Sequence, residues 1–299
     1  MSPYGGWEFT DDRGQLTVAD RPPVRVVAYI QAGATLWDHG LRPMGVFGSH
    51  HDGDSPDPAK AGGLPLDGTR DFGAGSSVDP DAVIAAEPDL LVAVSYGGGQ
   101  IYGIDPEAAK HLEERVPVVV VDVGRDRPLH GIRDRFTALA RSLGAPREPD
   151  EEDLEWAEAR LRTLTARPAA ARVLALSAAG PGTVHLARPG TWPDLRALTA
   201  LGVDLLDPGQ GAGGNWLTTD WSQALALEPD VVLGDVRANA ATPPRRSGAT
   251  GSGGHSRSGC ARWHGIRRRR AATGGTRGSW TRWPRRCRRV RRGRAGGAA

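Results

Sequence analysis

One stretch of this chain occurs twice. Val78–Ser95 reads VDPDAVIAAEPDLLVAVS, and Thr219–Val236 reads TDWSQALALEPDVVLGDV. Each copy predicts a short amphipathic helix, then Glu-Pro-Asp, then a strand. Pro88 and Pro229 end the helices, because the residue ahead of a proline avoids helical geometry. Leu90–Val94 and Val231–Leu233 are apolar on both faces, which suits a central parallel strand covered by helices on each side. A helix–strand unit repeated at this separation predicts two similar α/β lobes.

The rest of the chain can be fitted around that pair. Trp7–Val18 reads as a hairpin, with Asp-Asp-Arg-Gly as its turn. Val24–Ile30, Met44–Ser49 and Val116–Val123 read as further strands. Gln31-Ala-Gly-Ala is expected to lead into a helix ending at Gly40, and another helix is expected near Pro106–Arg115. Residues 50–77 read as loop with room for a short strand. The first lobe thus offers four strands alternating with helices. Two helices follow. Pro128–Leu143 carries Ile132, Phe136, Leu139 and Leu143 at helical spacing. Asp150–Arg167 carries Leu154, Ala157, Leu161 and Leu164 on one face, with acids at its start and arginines towards its end. In the second half, Arg172–Ser177, Thr183–Ala187 and Val203–Asp207 read as strands and Trp192–Leu201 as a helix. A glycine-rich loop, Pro208–Asn215, precedes the second Glu-Pro-Asp unit.

The formal charge of +3 describes no part of the molecule. All 35 acidic residues lie before residue 244, against 21 basic ones, whereas residues 244–299 hold 17 arginines and no acid. By analogy with the first lobe, one more helix and strand should follow Val236. Instead the tail is mostly Gly, Ser, Ala, Thr and Arg, with only Ile266 and Val290 as branched aliphatics. Such a composition cannot form a packed core and predicts disorder. It is also what a very GC-rich gene yields when read out of phase, so the tail reads as frameshifted. Its arginines with Trp263, Trp280 and Trp283 leave open a nucleic-acid-binding tail. The two cysteines, Cys260 and Cys287, both lie there and say nothing about the body. The expected division is an N-terminal α/β lobe over 1–128, connecting helices over 129–167, a C-terminal lobe over 168–243 and the tail over 244–299.

In open α/β sheets, ligands bind beyond the carboxyl ends of the strands. The predicted exits are Tyr29–Ala32, Phe47–His51, Ser95–Tyr102, Ser177–Gly182 and Asp235–Asn239. They carry Tyr29, Gln31, Tyr96, Tyr102 and Arg237. Trp192 and Trp216 lie in predicted loops that could reach the same cleft. Aromatic walls and an arginine suit a large, partly apolar, anionic ligand. Tyr29 and Trp192 equally fit core or helix-start positions. His50-His51-Asp52-Gly53-Asp54 reads as solvated loop rather than a metal site, since no further His or Cys stands at a helpful spacing. Gly97-Gly98-Gly99 lacks the Gly-Lys-Ser/Thr of a phosphate loop, and no dinucleotide fingerprint is present. No nucleophile and base stand in a recognisable motif.

These residues resemble one family. WEFTDDRGQLTVADRPPVRVVAY and TLWDHGLRPMGVFG, the two Glu-Pro-Asp units and Asp235-Val236-Arg237 are similar, over about residues 7–240, to the periplasmic binding proteins that capture ferric siderophores and cobalamin for ABC importers. The resemblance implies an α/β fold of two similar βαβ lobes with central parallel sheets. A long helix would join them, and a shallow ligand cleft would lie between lobes that hinge little. It implies a non-enzymatic, reversible binder without a cofactor. Its partners would be a ferric siderophore or similar chelate and a membrane permease, with no specific nucleic acid. Gln31, Tyr96, Tyr102, Trp192, Trp216 and Arg237 would bind the ligand. One acidic residue on each lobe would dock on permease arginines: Asp81 in the first, and in the second Asp220, because the matching position is Ser222. Such proteins act outside the cytoplasm. The chain as written begins without a basic, then apolar, leader, which predicts cytoplasmic residence unless its start lies upstream. That leaves open a cytoplasmic enzyme or metal carrier on the same architecture.

Overall fold

The computed structural model describes residues 6–52, 55–148, 151–167 and 170–241. The arginine-rich tail, its cysteines and tryptophans, and the pair Gly53-Asp54 lie outside these residues. The predicted hairpin is present: β1 (Trp7–Thr10) and β2 (Leu16–Ala19) pair antiparallel, Trp7 opposite Ala19. Its turn has a second task. Asp11 takes the N–H groups of Arg13 and Gln15 and, through Oδ2, that of Val120 at 3.1 Å. Asp12 takes the N–H of Asp122 at 2.8 Å. The turn's carboxylates therefore cap the free edge of the first sheet, an edge that would otherwise invite pairing.

That sheet consists of β3 (Val26–Tyr29), β4 (Gly45–Gly48), β5 (Arg70–Ala74), β6 (Leu90–Ser95) and β7 (Val118–Asp122), in spatial order β5-β4-β3-β6-β7. All its neighbours run parallel. Between the strands lie α1 (Ile30–Asp38), α2 (Pro58–Ala61), α3 (Pro80–Ile84) and α4 (Pro106–Glu113). Every residue of β3, β4 and β6 is buried, as apolar central strands require. The sequence offers four strands here and the structure has five. β5 is the addition; as an edge strand it buries Phe72 alone.

Two helices follow, α5 (Leu129–Ser142) and α6 (Glu151–Thr165). α5 buries Phe136, Leu139 and Ala140. α6 buries nothing, and Leu164 on the expected apolar face is 44% exposed. The second sheet contains β8 (Arg172–Ala178), β9 (Val184–Ala187), β10 (Asp204–Leu205), β11 (Trp216–Thr219) and β12 (Val231–Gly234), with α7 (Pro193–Ala200) and α8 (Trp221–Ala226). β8 pairs parallel with β10 and β12, whereas β9 runs antiparallel to both β8 and β11. The second lobe's sheet is thus mixed, where a central parallel sheet was expected in each lobe, and only the first lobe's five-stranded sheet is wholly parallel. Trp216, expected in a loop, stands in β11.

The duplicated unit explains why both lobes start alike. Leu90 of β6 lies opposite Val26, and Val231 of β12 lies opposite Val173. In each copy the aspartate clamps the start of the neighbouring strand. Asp89 Oδ2 accepts from the N–H groups of Val24 and Arg25 at 3.0 and 2.9 Å, and Asp230 Oδ2 from that of Arg172 at 2.9 Å. Arg25 and Arg172 each return a hydrogen bond to the carbonyl of the glutamate, Glu87 or Glu228. Those two glutamates are the only non-glycine residues with positive φ among the described residues, both at 50°. Burial opposes the charge of Asp89, but the two N–H donors outweigh it and hold the carboxyl below its ordinary range. Asp89→Ala is expected to cost about 1 kcal/mol, below the usual range for hydrogen bonds to a charged acceptor because the site is half exposed. Chemical denaturation checks it; an unchanged midpoint would remove the clamp from the account.

The core is shared unevenly. One large cluster, including Tyr29, Phe47, Leu91, Val119 and Leu139, fills the first lobe. The second lobe has two small ones, around Leu174, Leu176 and Leu186, and around Ala175, Ala187 and Leu195.

Candidate functional site

The exits of β6 and β7 face the start of α7 across a cleft of about 360 Å³. Tyr96, Gly97 and residues 122–126 form one wall. Thr191, Trp192, Pro193 and Asn215 form the other.

The first wall rests on an aromatic ladder. Tyr29 and Phe47 lie in the core, 5.8 Å apart between ring centroids. Tyr102 meets Tyr29 edge-on at 5.8 Å and Tyr96 at 4.6 Å. Tyr96 ends the ladder with 46% of its surface exposed. The chain can turn back here because Gly97, Gly98 and Gly99 all adopt positive φ, which glycine reaches without a Cβ penalty. The return is fixed by the Tyr102 N–H donating to the Val94 carbonyl at 2.8 Å. The β7 exit can then approach because residue 124 is glycine. A Cβ there would lie 2.8 Å from the backbone carbon of Tyr96.

The second wall is tied to the glycine-rich loop. Trp192 donates through Nε1 to the Asn215 carbonyl at 3.1 Å and meets Trp216 at 5.1 Å between centroids. Arg188 fastens the same loop by donating to the carbonyls of Gly209 and, at 3.0 Å, Gly211.

Charge enters from both lobes. Asp122 pairs with Arg127 at 3.3 Å, and Asp122, Arg125 and Asp126 line the cleft. Arg237 holds Asp235 through Nε at 3.0 Å and through a terminal nitrogen at 2.7 Å. Burial acts against the charge of Asp235, yet the hydrogen bonds from Arg237 prevail and keep its carboxyl below the ordinary range. Burial and the nearby Tyr102 push the Tyr96 hydroxyl up to about 12, with Arg237 pulling the other way. At neutral pH Tyr96 is therefore a neutral donor and acceptor.

A depressed carboxyl contributes stability that is complete above its unfolded pKa and is lost as pH falls through the folded one. The melting-temperature difference between the wild type and Asp235→Asn should thus be constant from about pH 8 to about pH 5 and shrink only below about pH 4. A difference that fades already near neutrality would mean that the pair does not form.

The structure brings Tyr96 and Trp192 to the cleft directly. Tyr102 and Trp216 back them, and Arg237 lies close enough to bias the Tyr96 hydroxyl. Gln31 sits exposed in the first turn of α1 and does not line the cleft. The predicted exits omitted that of β7, although the strand itself was plain in the sequence; Asp122 and Gly124–Asp126 follow from it. Asp81 is exposed on α3 and meets His111 Nε2 at 3.0 Å. Asp220 is the N-cap of α8, accepting from the Gln223 N–H at 3.0 Å and from the Ser222 hydroxyl at 2.5 Å. Its counterpart by position in the repeat is Asp79, the N-cap of α3. Asp52, in the histidine-containing loop, is engaged by the buried Lys60. Among the described residues no three His, Cys, Asp or Glu side chains stand close enough to hold a metal ion. No helix among them is long and apolar enough to cross a membrane.

No protein-family model and no curated protein matches the chain. Solved structures do. DesE, a ferric-siderophore receptor protein from Streptomyces coelicolor, is 28% identical and superposes with a TM-score of 0.71, covering 82% of this chain and 85% of its own. A periplasmic solute binding protein from Mycobacterium smegmatis is 19% identical with a TM-score of 0.52, covering 77% of each chain. The heme binding protein HmuT is 18% identical with a TM-score of 0.55, covering 78% of this chain and 73% of its own. The last two share the fold alone.

Proposed function

As a member of the periplasmic binding proteins of the siderophore type, the chain works, we propose, by capturing a ferric siderophore in the cleft between its lobes and delivering it to a membrane permease. The observation that carries this reading is the opposition of Tyr96 and Trp192 across the cleft, each braced by a second aromatic ring. Flat, apolar faces suit the organic shell of a metal chelate. Arg125 on the cleft wall would supply positive charge for an anionic complex, and Arg237, already paired with Asp235, would add only its remaining donor capacity. Binding would be reversible and would involve no covalent step. Gln31 would contribute only to ligands that overhang the β3 exit. Asp81, exposed on α3, would be the docking contact on the first lobe; Asp220 is already occupied as a cap and is the weaker candidate.

The test is a titration of the purified protein with ferric siderophores, haem and cobalamin, followed by tryptophan fluorescence. Trp192 and Trp216 sit where a ligand would quench them. Saturable quenching by a ferric siderophore is the expected result. A folded protein that responds to none of these ligands would overturn the reading. Asp81→Lys should leave that titration unchanged while abolishing uptake in a cell that depends on the importer. Unaltered uptake would remove Asp81 from the docking surface.

A further inference from the structure

Within its own lobe the β7 exit, residues 122–127, is held mainly at its start, where the Asp122 N–H donates to Asp12 Oδ2 at 2.8 Å and the Gly124 N–H to Asp122 Oδ1 at 2.9 Å. Val123 donates to the Ser95 carbonyl at 2.7 Å, and Arg127 closes a turn onto the Gly124 carbonyl at 3.0 Å. The carbonyls of Arg125 and Arg127 are instead taken by the second lobe. The Arg196 guanidinium donates to both, at 2.6 Å in the case of Arg127. Arg196 lies one turn into α7, its N–H bonded to the Trp192 carbonyl at 2.9 Å. One helix therefore carries Trp192 on one wall of the cleft and grips the opposite wall four residues later.

From this we infer that Arg196 is a positioning residue that sets the width of the cleft and so its selectivity for ligand size; the inference rests on the binding-protein reading of the same cleft. The chemistry favours arginine. A planar fork with several donors spans two carbonyls at once, whereas a lysine ammonium is a compact point charge. The grip also leaves the side chains of Arg125 and Asp126 available to the cleft they line, because only the backbone is used.

The experiment compares wild type, Arg196→Lys and Arg196→Ala. Amide exchange of the 122–127 segment is measured first, without ligand. The expected result is at least about tenfold faster exchange there in the alanine variant and an intermediate rate in the lysine variant, with other segments unchanged. Exchange within twofold of wild type in both variants overturns the proposal, whatever the protein binds. Global acceleration in the alanine variant would leave the lysine variant, which keeps the charge, to decide. Affinities for two probes are then measured: ferrichrome, a compact ferric chelate, and cobalamin, a bulkier molecule. The alanine variant should change the ratio of the two affinities by about tenfold, a shift that uniform destabilisation would not produce. An unchanged ratio overturns the selectivity role. A wild-type protein that binds neither probe counts against ligand capture, and the exchange result then decides the tether alone.

Discussion

Trp192→Ala is expected to weaken ligand binding by about 30-fold or more, the range of an interface hot spot built on a buried-edge tryptophan. Three things are lost together. The ring that faces Tyr96 across the cleft disappears. The Asn215 carbonyl loses its Nε1 donor, so the glycine-rich loop is released at one of its ties. Trp216 loses the neighbour that meets its ring. Trp192→Phe separates these contributions, because it keeps a smaller aromatic face and removes the donor; it should fall between the wild type and the alanine variant. Calorimetric titration with the ligand found by fluorescence gives the numbers. Affinity within twofold of wild type for the alanine variant would show that the ligand does not use this wall.

The second large effect comes from a residue with no side chain. Gly124→Ala places a methyl group 2.8 Å from the Tyr96 carbonyl carbon and 2.9 Å from its oxygen, with Asp122 Oδ1 at 3.0 Å. Backbone cannot swing aside as a long side chain can, so the β6 and β7 exits must part. A cost of about 1–3 kcal/mol is expected from overpacking, together with loss of the cleft's shape. Gly98→Ala makes the control. Its Cβ would meet nothing within 4 Å, and only its positive φ of 73° resists substitution. That should cost about 1 kcal/mol of backbone strain without closing the cleft. If both variants bind alike, the close approach of the two strand exits is not what shapes the site.

Both residues illustrate what the sequence could and could not reveal. The repeated Glu-Pro-Asp unit was legible because it combines a helix stop with an apolar strand, and the structure adds its purpose, a carboxylate clamp on the next strand. The inner strands β3 and β6 and the edge strand β7 were legible as unbroken apolar runs. β5 was legible only as room for a short strand within residues 50–77, because an edge strand reading Arg-Asp-Phe-Gly-Ala buries one residue and shows no period. β11 was hidden by its position straight after a glycine-rich loop. Tyr96 and Trp192 could be named as candidates from their place at a strand exit and a helix start. Nothing local marks Arg196, whose partners lie about seventy residues away in the other lobe. Gly124 had a signal, a glycine two residues past a strong strand, but its meaning depends on which strand lies beside it. The Leu154–Leu164 face of α6 was a true helical pattern. It describes periodicity, and periodicity does not say whether another element comes to cover it.

The uneven division of the core has a consequence for how this protein would respond to its cargo. A lobe held by two small clusters, with every residue of β12 only half-buried, should open at a lower free energy than the lobe that carries the main core. A molecule seated in the cleft touches both, but it can add protection only where protection is lacking. Occupancy would then be recorded mainly as a slowing of breathing in the C-terminal half. The loaded and empty protein would thus differ chiefly in the rigidity of one lobe.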